Sequence, residues 1–279
     1  MALVPILIYH SISRAPMPLI ADFAVDEATF AAHLDAVAQR GLRCLTVSGL
    51  LDAVDAGDEA LVERAALITF DDGFADFRAA ALPALRERGL ASTLYVATGL
   101  LRGGPQPPVH DGIAPYMLEL AELRELAGAG VELGAHSHTH PHMDTLGTRR
   151  ARYEIERSRA LVEDAAGAPV ATFAYPHGYS GPRIRRLVRA AGYRGACGVK
   201  NTLSSTGDDR FALSRLLIGN DTGAADVGRW LDRAGAPPPR RRERLRTTGW
   251  RWYRRGRAVV RRRPGSDPGW PSVRPGARP

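Results

Sequence analysis

Two adjacent carboxylates and a run of histidines at alternating positions are the residues of this chain best suited to chemistry. Asp71 and Asp72 stand before Gly73, while His136, His138, His140 and His142 fall within seven residues of a chain that has 8 His in all. Neutral imidazole binds zinc and similar divalent ions, and a carboxylate commonly completes a catalytic site that keeps positions open for water and substrate. Adjacent buried carboxylates repel, so one of the two needs a proton or a cation, and a bound metal would supply the cation. Each motif also has a plainer reading. Asp-Asp-Gly is ordinary turn or helix-cap grammar, and a His-rich stretch can be a solvated loop. Their joint presence is what favours a metal site.

The elements that must position these residues read as alternating strands and helices. Residues 4–9, 42–47, 66–70, 92–97, 131–135, 170–174, 195–199 and 213–218 are short apolar runs suited to buried strands. Residues 26–39, 74–88, 117–127, 148–165, 182–191 and 221–234 read as helices, several with Gly at their ends. A Gly- and Pro-rich surface loop, residues 98–115, interrupts the alternation. About seven βα repeats predict an α/β protein with a parallel sheet or a (β/α) barrel, and no internal sequence repeat is visible. Asp71, His136 and the run Tyr175-Pro176-His177-Gly178 then each follow a strand. In such barrels the carboxyl ends of the strands form the active-site face.

Three segments together resemble the polysaccharide deacetylase family, also called the NodB homology domain or carbohydrate esterase family 4. They are Thr69-Phe70-Asp71-Asp72-Gly73, His136-Ser137-His138-Thr139-His140-Pro141 and Phe173-Ala174-Tyr175-Pro176-His177-Gly178. Order and spacing agree over roughly residues 4–235, and Ile8-Tyr9-His10-Ser11-Ile12 resembles the subgroup of poly-N-acetylglucosamine deacetylases. The resemblance implies a distorted, seven-stranded NodB-like barrel and hydrolysis of N-acetyl groups on an amino sugar or glycan. It implies Asp71 as general base toward a water on a divalent ion, and Asp72, His136 and His140 as the metal ligands. His138 falls between the ligands, Ser137 and Thr139 brace the loop, and the backbone N–H of Tyr175 is the implied oxyanion donor. Zinc is the expected ion from the ligand types, with cobalt or nickel equally suited to such a site.

The chain departs from the family pattern at two places. The third motif has Ala171-Thr172-Phe173 where many members carry an Arg that orients the catalytic Asp, and Arg215 is the available substitute. The late histidine that serves as general acid in relatives is missing, since no His follows His177. His10 is the preferred candidate for that role, with His177 behind it. A fold that kept its shape but lost the acid would be a weak enzyme or a carbohydrate-binding protein.

Composition bounds the rest. The chain has 279 residues, 44% hydrophobic and 24% charged, an ordinary globular balance with no apolar run of membrane-spanning length. Cys44 and Cys197 lie far apart and read as reduced, buried thiols. No P-loop, dinucleotide fingerprint or Gly-x-Ser-x-Gly elbow is present. From Arg240 onward 14 Arg face Glu243 and Asp267, a net of +12 that leaves residues 1–239 at −4. The reading is therefore a catalytic domain over residues 1–236 and an Arg/Pro-rich tail over 237–279. The tail reads equally as a solvated, disordered or partly helical segment; as a binding element, Trp250, Trp252 and Tyr253 suit an anionic membrane surface better than nucleic acid. The amino terminus shows no secretory signal, so a cytoplasmic, membrane-peripheral location is expected.

Overall fold

Residues 1–104 and 112–236 are described by the computed structural model. The basic tail, residues 237–279, and residues 105–111 of the Gly/Pro-rich loop lie outside the described residues. Eight strands build the main sheet: β1 (Ile6–Tyr9), β2 (Arg43–Leu45), β3 (Ala65–Phe70), β4 (Thr93–Val96), β5 (Glu132–Ala135), β6 (Thr172–Ala174), β7 (Gly195–Cys197) and β8 (Leu216–Leu217). All pair in parallel, in the order β7-β6-β5-β4-β3-β1-β8, with β2 paired to the first half of β3 on the edge that β4 takes over further along. The sheet curls until its two ends approach. There Cys197 bridges Leu213, whose N–H donates to Ala196 O at 3.0 Å and whose O accepts the Gly198 N–H at 2.8 Å. The architecture is the expected distorted (β/α) barrel, with seven strands around the ring and β2 wedged against β3.

Period-2 alternation along the strands sorts side chains between the barrel interior and the helical jacket. From β3, Ala66, Ile68 and Phe70 join the outer core against α1 (Glu27–Gln39), where Phe70, Tyr9 and Phe30 pack at ring distances of 5.1 to 5.9 Å. Ala65 and Leu67 join the inner core with Ile6, Tyr95, Ala174 and Cys197. The same alternation carries inward to Thr69 and then Asp71, so the strand itself aims Asp71 at the barrel mouth. Tyr95 fills the interior beneath. It leaves no room for a side chain at position 134, where an added Cβ would sit 2.4 Å from its ring.

Three stretches differ from the sequence expectation for identifiable reasons. Residues 47–55 form α2 (Val47–Asp55), because Thr46 caps the Gly49 N–H at 3.1 Å and Val47, Leu50, Leu51 and Ala53 bury one face. Residues 74–88 are not one regular helix: a π-type turn, Phe77–Ala81, leads into α3 (Leu82–Glu87), and the wide turn accommodates Pro83, which has no N–H to offer. The helix expected at 117–127 begins only at α4 (Glu122–Gly128). Met117 and Leu118 instead run extended over the Asp71-Asp72-Gly73 turn, with Leu118 N–H donating to Gly73 O at 3.0 Å and Met117 bridging Phe74. Besides a short helical turn at Glu59–Glu63, the remaining helices are α5 (Thr148–Ala166), α6 (Pro182–Ala190) and α7 (Ala224–Leu231), the last three close to expectation. No helix among the described residues is long and apolar enough to cross a membrane. Cys197 is buried and Cys44 half-buried, both as free thiols.

Candidate active site

Asp71 and Asp72 leave the end of β3 in different directions. Asp71 extends the ladder, its N–H donating to Tyr9 O at 3.0 Å, whereas Asp72 and Gly73 take positive φ values of 73° and 94°. A side chain is tolerated in the left-handed region for Asp more readily than for most residues, and the reversal turns Asp72 toward the histidines. The Gly73 position is confined as well, since a Cβ there would meet Leu101 at 3.0 Å.

Arg215, immediately before β8, is fully buried and grips Asp71 with both ends of its fork. Its two terminal nitrogens lie 2.7 Å from the two carboxylate oxygens, Nε donates to Gly198 O at 3.0 Å, and one terminal nitrogen also reaches Thr69 Oγ1 at 3.2 Å. The guanidinium rests 5.5 Å from the Tyr95 ring centroid. Burial alone would raise the Asp71 pKa, but Arg215, assisted by His136 and His10, more than offsets it and holds the carboxyl below its usual range. An Arg missing from the third motif is thus matched by one from the chain entering β8, next to the end of β7. Bidentate pairing takes one lone pair from each oxygen and leaves others facing the cavity.

Asp72 has no such partner. Its Oδ1 is buried without a hydrogen-bond donor, with His140 Nε2 at 3.2 Å and His136 Nε2 at 3.5 Å. Ligand atoms of Asp72, His136 and His140 lie within 4.8 Å of one another, and all three residues are buried. His136 Nδ1 lies 2.8 Å from Ala174 O; a carbonyl can only accept, so Nδ1 carries the proton and Nε2 presents its lone pair to the site. Burial pushes the His136 pKa down to about 4, which keeps the ring neutral at physiological pH. An orphaned anionic oxygen facing a neutral, correctly oriented imidazole is a donor set that fits a divalent cation of the zinc type. The expected ligands Asp72, His136 and His140 are therefore brought together.

The histidine loop is held from behind by Glu154 of α5, which the sequence reading did not single out. Its fully buried carboxylate accepts the N–H of His138 at 3.0 Å, the N–H of Thr139 at 2.7 Å and the hydroxyl of Thr139 at 2.8 Å. Ser137 Oγ accepts the His140 N–H at 3.1 Å, and both Ser137 and His140 have positive φ. Thr139 and Ser137 thus brace the loop as expected. His138 turns away from the site, its Nδ1 2.8 Å from Thr98 Oγ1 and its ring edge-on to Tyr153.

The expectation for Tyr175 requires correction. Its N–H donates to Cys197 O at 3.0 Å, continuing the β6–β7 ladder, and its hydroxyl donates to Phe211 O at 2.9 Å. A strand-end amide already spent on the sheet is not free to meet an oxyanion, so Tyr175 serves the frame of the site. His10 follows β1 at the mouth. Its Nδ1 is buried with no hydrogen-bond partner, its ring packs 5.4 Å from Phe23, and its charge acts on both Asp71 and Asp72. His177 has φ 57° and lies in a row of imidazoles, 4.6 Å from His140 and 4.0 Å from His142 between ring centroids. Partial enclosure lowers its pKa, and those two rings lower it further.

Residues 58–196 match the family model described as polysaccharide deacetylase, a span that includes both aspartates, the histidine loop and the Tyr175 segment. The chain belongs to the polysaccharide deacetylase family. Within it, YxkH of Bacillus subtilis (strain 168), itself named only provisionally as a polysaccharide deacetylase, is 22% identical over 231 residues, 83% of this chain and 77% of YxkH. Among solved structures, the Streptococcus pyogenes deacetylase PplD in complex with acetate superposes with a TM-score of 0.71 at 21% identity, covering 81% of this chain and 96% of PplD. IcaB from Ammonifex degensii gives 0.66 at 23% identity, covering 83% and 97%. These likenesses show that the barrel is that of the NodB-like deacetylases.

Proposed function

We propose that this protein is a metal-dependent hydrolase that removes N-acetyl groups from an amino sugar or polysaccharide. The observation that supports it best is the pairing of a carboxylate locked by Arg215 with a second carboxylate that no arginine holds and that has His140 Nε2 and His136 Nε2 within 3.5 Å. Asp72, His136 and His140 would hold the ion, whose chemistry is to polarise the acetamide carbonyl and lower the pKa of water. Asp71, kept ionised by Arg215, takes the proton from the attacking water. The bidentate grip fixes its rotamer, so the accepting lone pair points at the cavity without reorganisation. His10 then donates a proton to the departing amine nitrogen. Its buried, unbonded Nδ1 and its place beside Asp71, on the adjoining strand, suit that role, whereas His177 is held toward the neutral form between the rings of His140 and His142.

Acetate release from N-acetylglucosamine oligomers, before and after chelation and zinc add-back, tests this reading. Metal-dependent release supports it. No release from a metal-loaded protein that still binds the oligomers would return the carbohydrate-binding alternative. For the tail, the charge and aromatics of residues 240–263 support attachment to an anionic membrane surface. Sedimentation with anionic vesicles that is unchanged by deleting those residues would contradict it.

A further inference from the structure

His10 is tied to the aspartate turn on both sides of itself. Before it, Tyr9 O accepts the Asp71 N–H at 3.0 Å; after it, Ser11 Oγ donates to Asp76 Oδ2. These two bonds close a ring that runs from Tyr9 through His10 and Ser11, across to Asp76 and back along the turn to Asp71. The proposed acid and the proposed base therefore sit on one closed loop. The first bond is ordinary sheet ladder, but the second is made by two side chains that the proposed chemistry leaves unused.

The half of the ring that carries the aspartates is stiff. Gly73 N–H donates to Asp71 O at 3.0 Å and Phe77 N–H to Phe74 O at 3.1 Å, while Ala75 N–H donates to Tyr116 O at 2.8 Å and Gly73 O accepts the Leu118 N–H at 3.0 Å. Asp76 then leads into the π-type turn Phe77–Ala81. The half that carries His10 has other neighbours. Ser11–Ile12 pairs with Ala24–Val25, and exposed Phe23 packs 5.4 Å from the His10 ring. Those contacts fix His10 to the chain before α1, not to the aspartates. The bond from Ser11 to Asp76 is what carries the position of the turn across to the residue after His10.

The groups that make this bond are informative. Ser11 is buried, Asp76 Oδ1 is buried without a hydrogen-bond partner, and burial raises the Asp76 pKa although Ser11 and the Ile12 and Phe77 amides act against it. A carboxylate only partly satisfied in such surroundings costs stability that an apolar contact would not. What it provides instead is direction, since a hydrogen bond to an ionised acceptor is shorter and stronger than a neutral one.

We propose that Asp76 is a positioning residue for the proposed hydrolysis: through Ser11 it holds His10 in register with Asp71, so that proton donor and proton acceptor flank the same reacting bond. This rests on the deacetylase reading with His10 as the acid. Asp76 itself moves no proton; the leaving amine takes one from His10 and the attacking water gives one to Asp71. Two variants break the bond from either side, Ser11→Ala and Asp76→Ala, and Ser11→Thr keeps the hydroxyl. Each zinc-loaded protein is assayed on N-acetylglucosamine trimer, whose amine must be protonated to leave, and on p-nitrophenyl acetate, whose phenolate leaves without a proton. NMR follows the imidazole signals of His10, assigned by their loss in His10→Asn, in the same proteins. The expected result is a kcat on the trimer lowered by about ten- to a hundredfold in both variants, a much smaller loss on the ester, recovery in Ser11→Thr, and no further loss when either variant is combined with His10→Asn. The His10 signals should move in Ser11→Ala and Asp76→Ala and return in Ser11→Thr. Equal losses on trimer and ester, or losses that multiply with that of His10→Asn, overturn the positioning role and leave the deacetylase standing. So do His10 signals that neither variant moves. Displaced signals in proteins of which none, wild type included, releases acetate from the trimer support the placement of His10 by Asp76 and overturn the deacetylase. Neither displaced signals nor release overturns both.

Discussion

Asp71 and Asp72 are neighbours in sequence and opposites in surroundings. On the Asp71 side every charge has its counter-charge: the carboxylate and Arg215 are both buried, joined by two 2.7 Å bonds, and Arg215 is further tied to Gly198 and Thr69. On the Asp72 side no arginine locks the carboxylate: His140 Nε2 and His136 Nε2 stand 3.2 and 3.5 Å from Oδ1, and His136 is held neutral. A saturated pair holds a base still. A cluster of a carboxylate and imidazoles with no arginine among them is the kind of donor set that a bound cation would stabilise. One dipeptide can thus provide both parts of the proposed hydrolytic site because the backbone reverses at Asp72, where φ is 73°.

The comparison can be broken most forcefully at Asp71. Asp71→Asn should lower kcat by roughly 10²- to 10⁴-fold, as expected for removal of a general base, while metal content measured by atomic emission stays at the wild-type level. Arg215→Met should destabilise the fold by about 3–5 kcal/mol in urea titration, because it strands a buried carboxylate. Adding Asp71→Asn to it should restore part of that loss, and purely additive effects would contradict the pairing.

Acid should act on the two sides at different pH. His136 has an ordinary pKa of 6.5 when unfolded and about 4 when folded, so below pH 6.5 the unfolded chain takes up a proton that the fold refuses. Stability of the metal-free protein should therefore fall between pH 6.5 and 4, by at most about 3 kcal/mol from this group. Asp71 and Asp72, whose folded pKa values lie below the usual 3.8, add their loss only below that pH. His136→Asn should flatten the upper part of the profile in urea titrations at successive pH values. A smaller effect is expected one layer further out. Glu154→Gln weakens the hydrogen bonds that hold the histidine loop, and should cost about 1.5–3 kcal/mol of stability and about tenfold in zinc affinity by competition titration.

How much of this was legible beforehand follows from what each residue depends on. The strand-end motifs carried Asp71, Asp72, His136 and His140, because period-2 strands followed by reversals are local features of the chain. Arg215 could be named only as a substitute for an absent Arg; its placement on Asp71 depends on β8 lying beside β1, which lies beside β3, a relation no local pattern contains. Glu154 was illegible for a different reason. It sits in a helix dense with charge, where its i,i+4 partner Arg150 makes it look like one more solvated residue. Tyr175 was misread because the sequence does not tell whether a strand-end amide still has a ladder partner, and Cys197 provides one. Met117 and Leu118 carried a helical pattern that lost to their pairing over Gly73.

The central claim is that Asp72 belongs to the ion and Asp71 to the proton. It is tested most directly by measuring bound zinc and acetate release side by side for wild type, Asp71→Asn and Asp72→Asn, each folded by circular dichroism. The account predicts one zinc with acetate release in wild type, one zinc without release in Asp71→Asn, and neither in Asp72→Asn. Zinc retained at full stoichiometry in Asp72→Asn, or acetate released at the wild-type rate by Asp71→Asn, would contradict it.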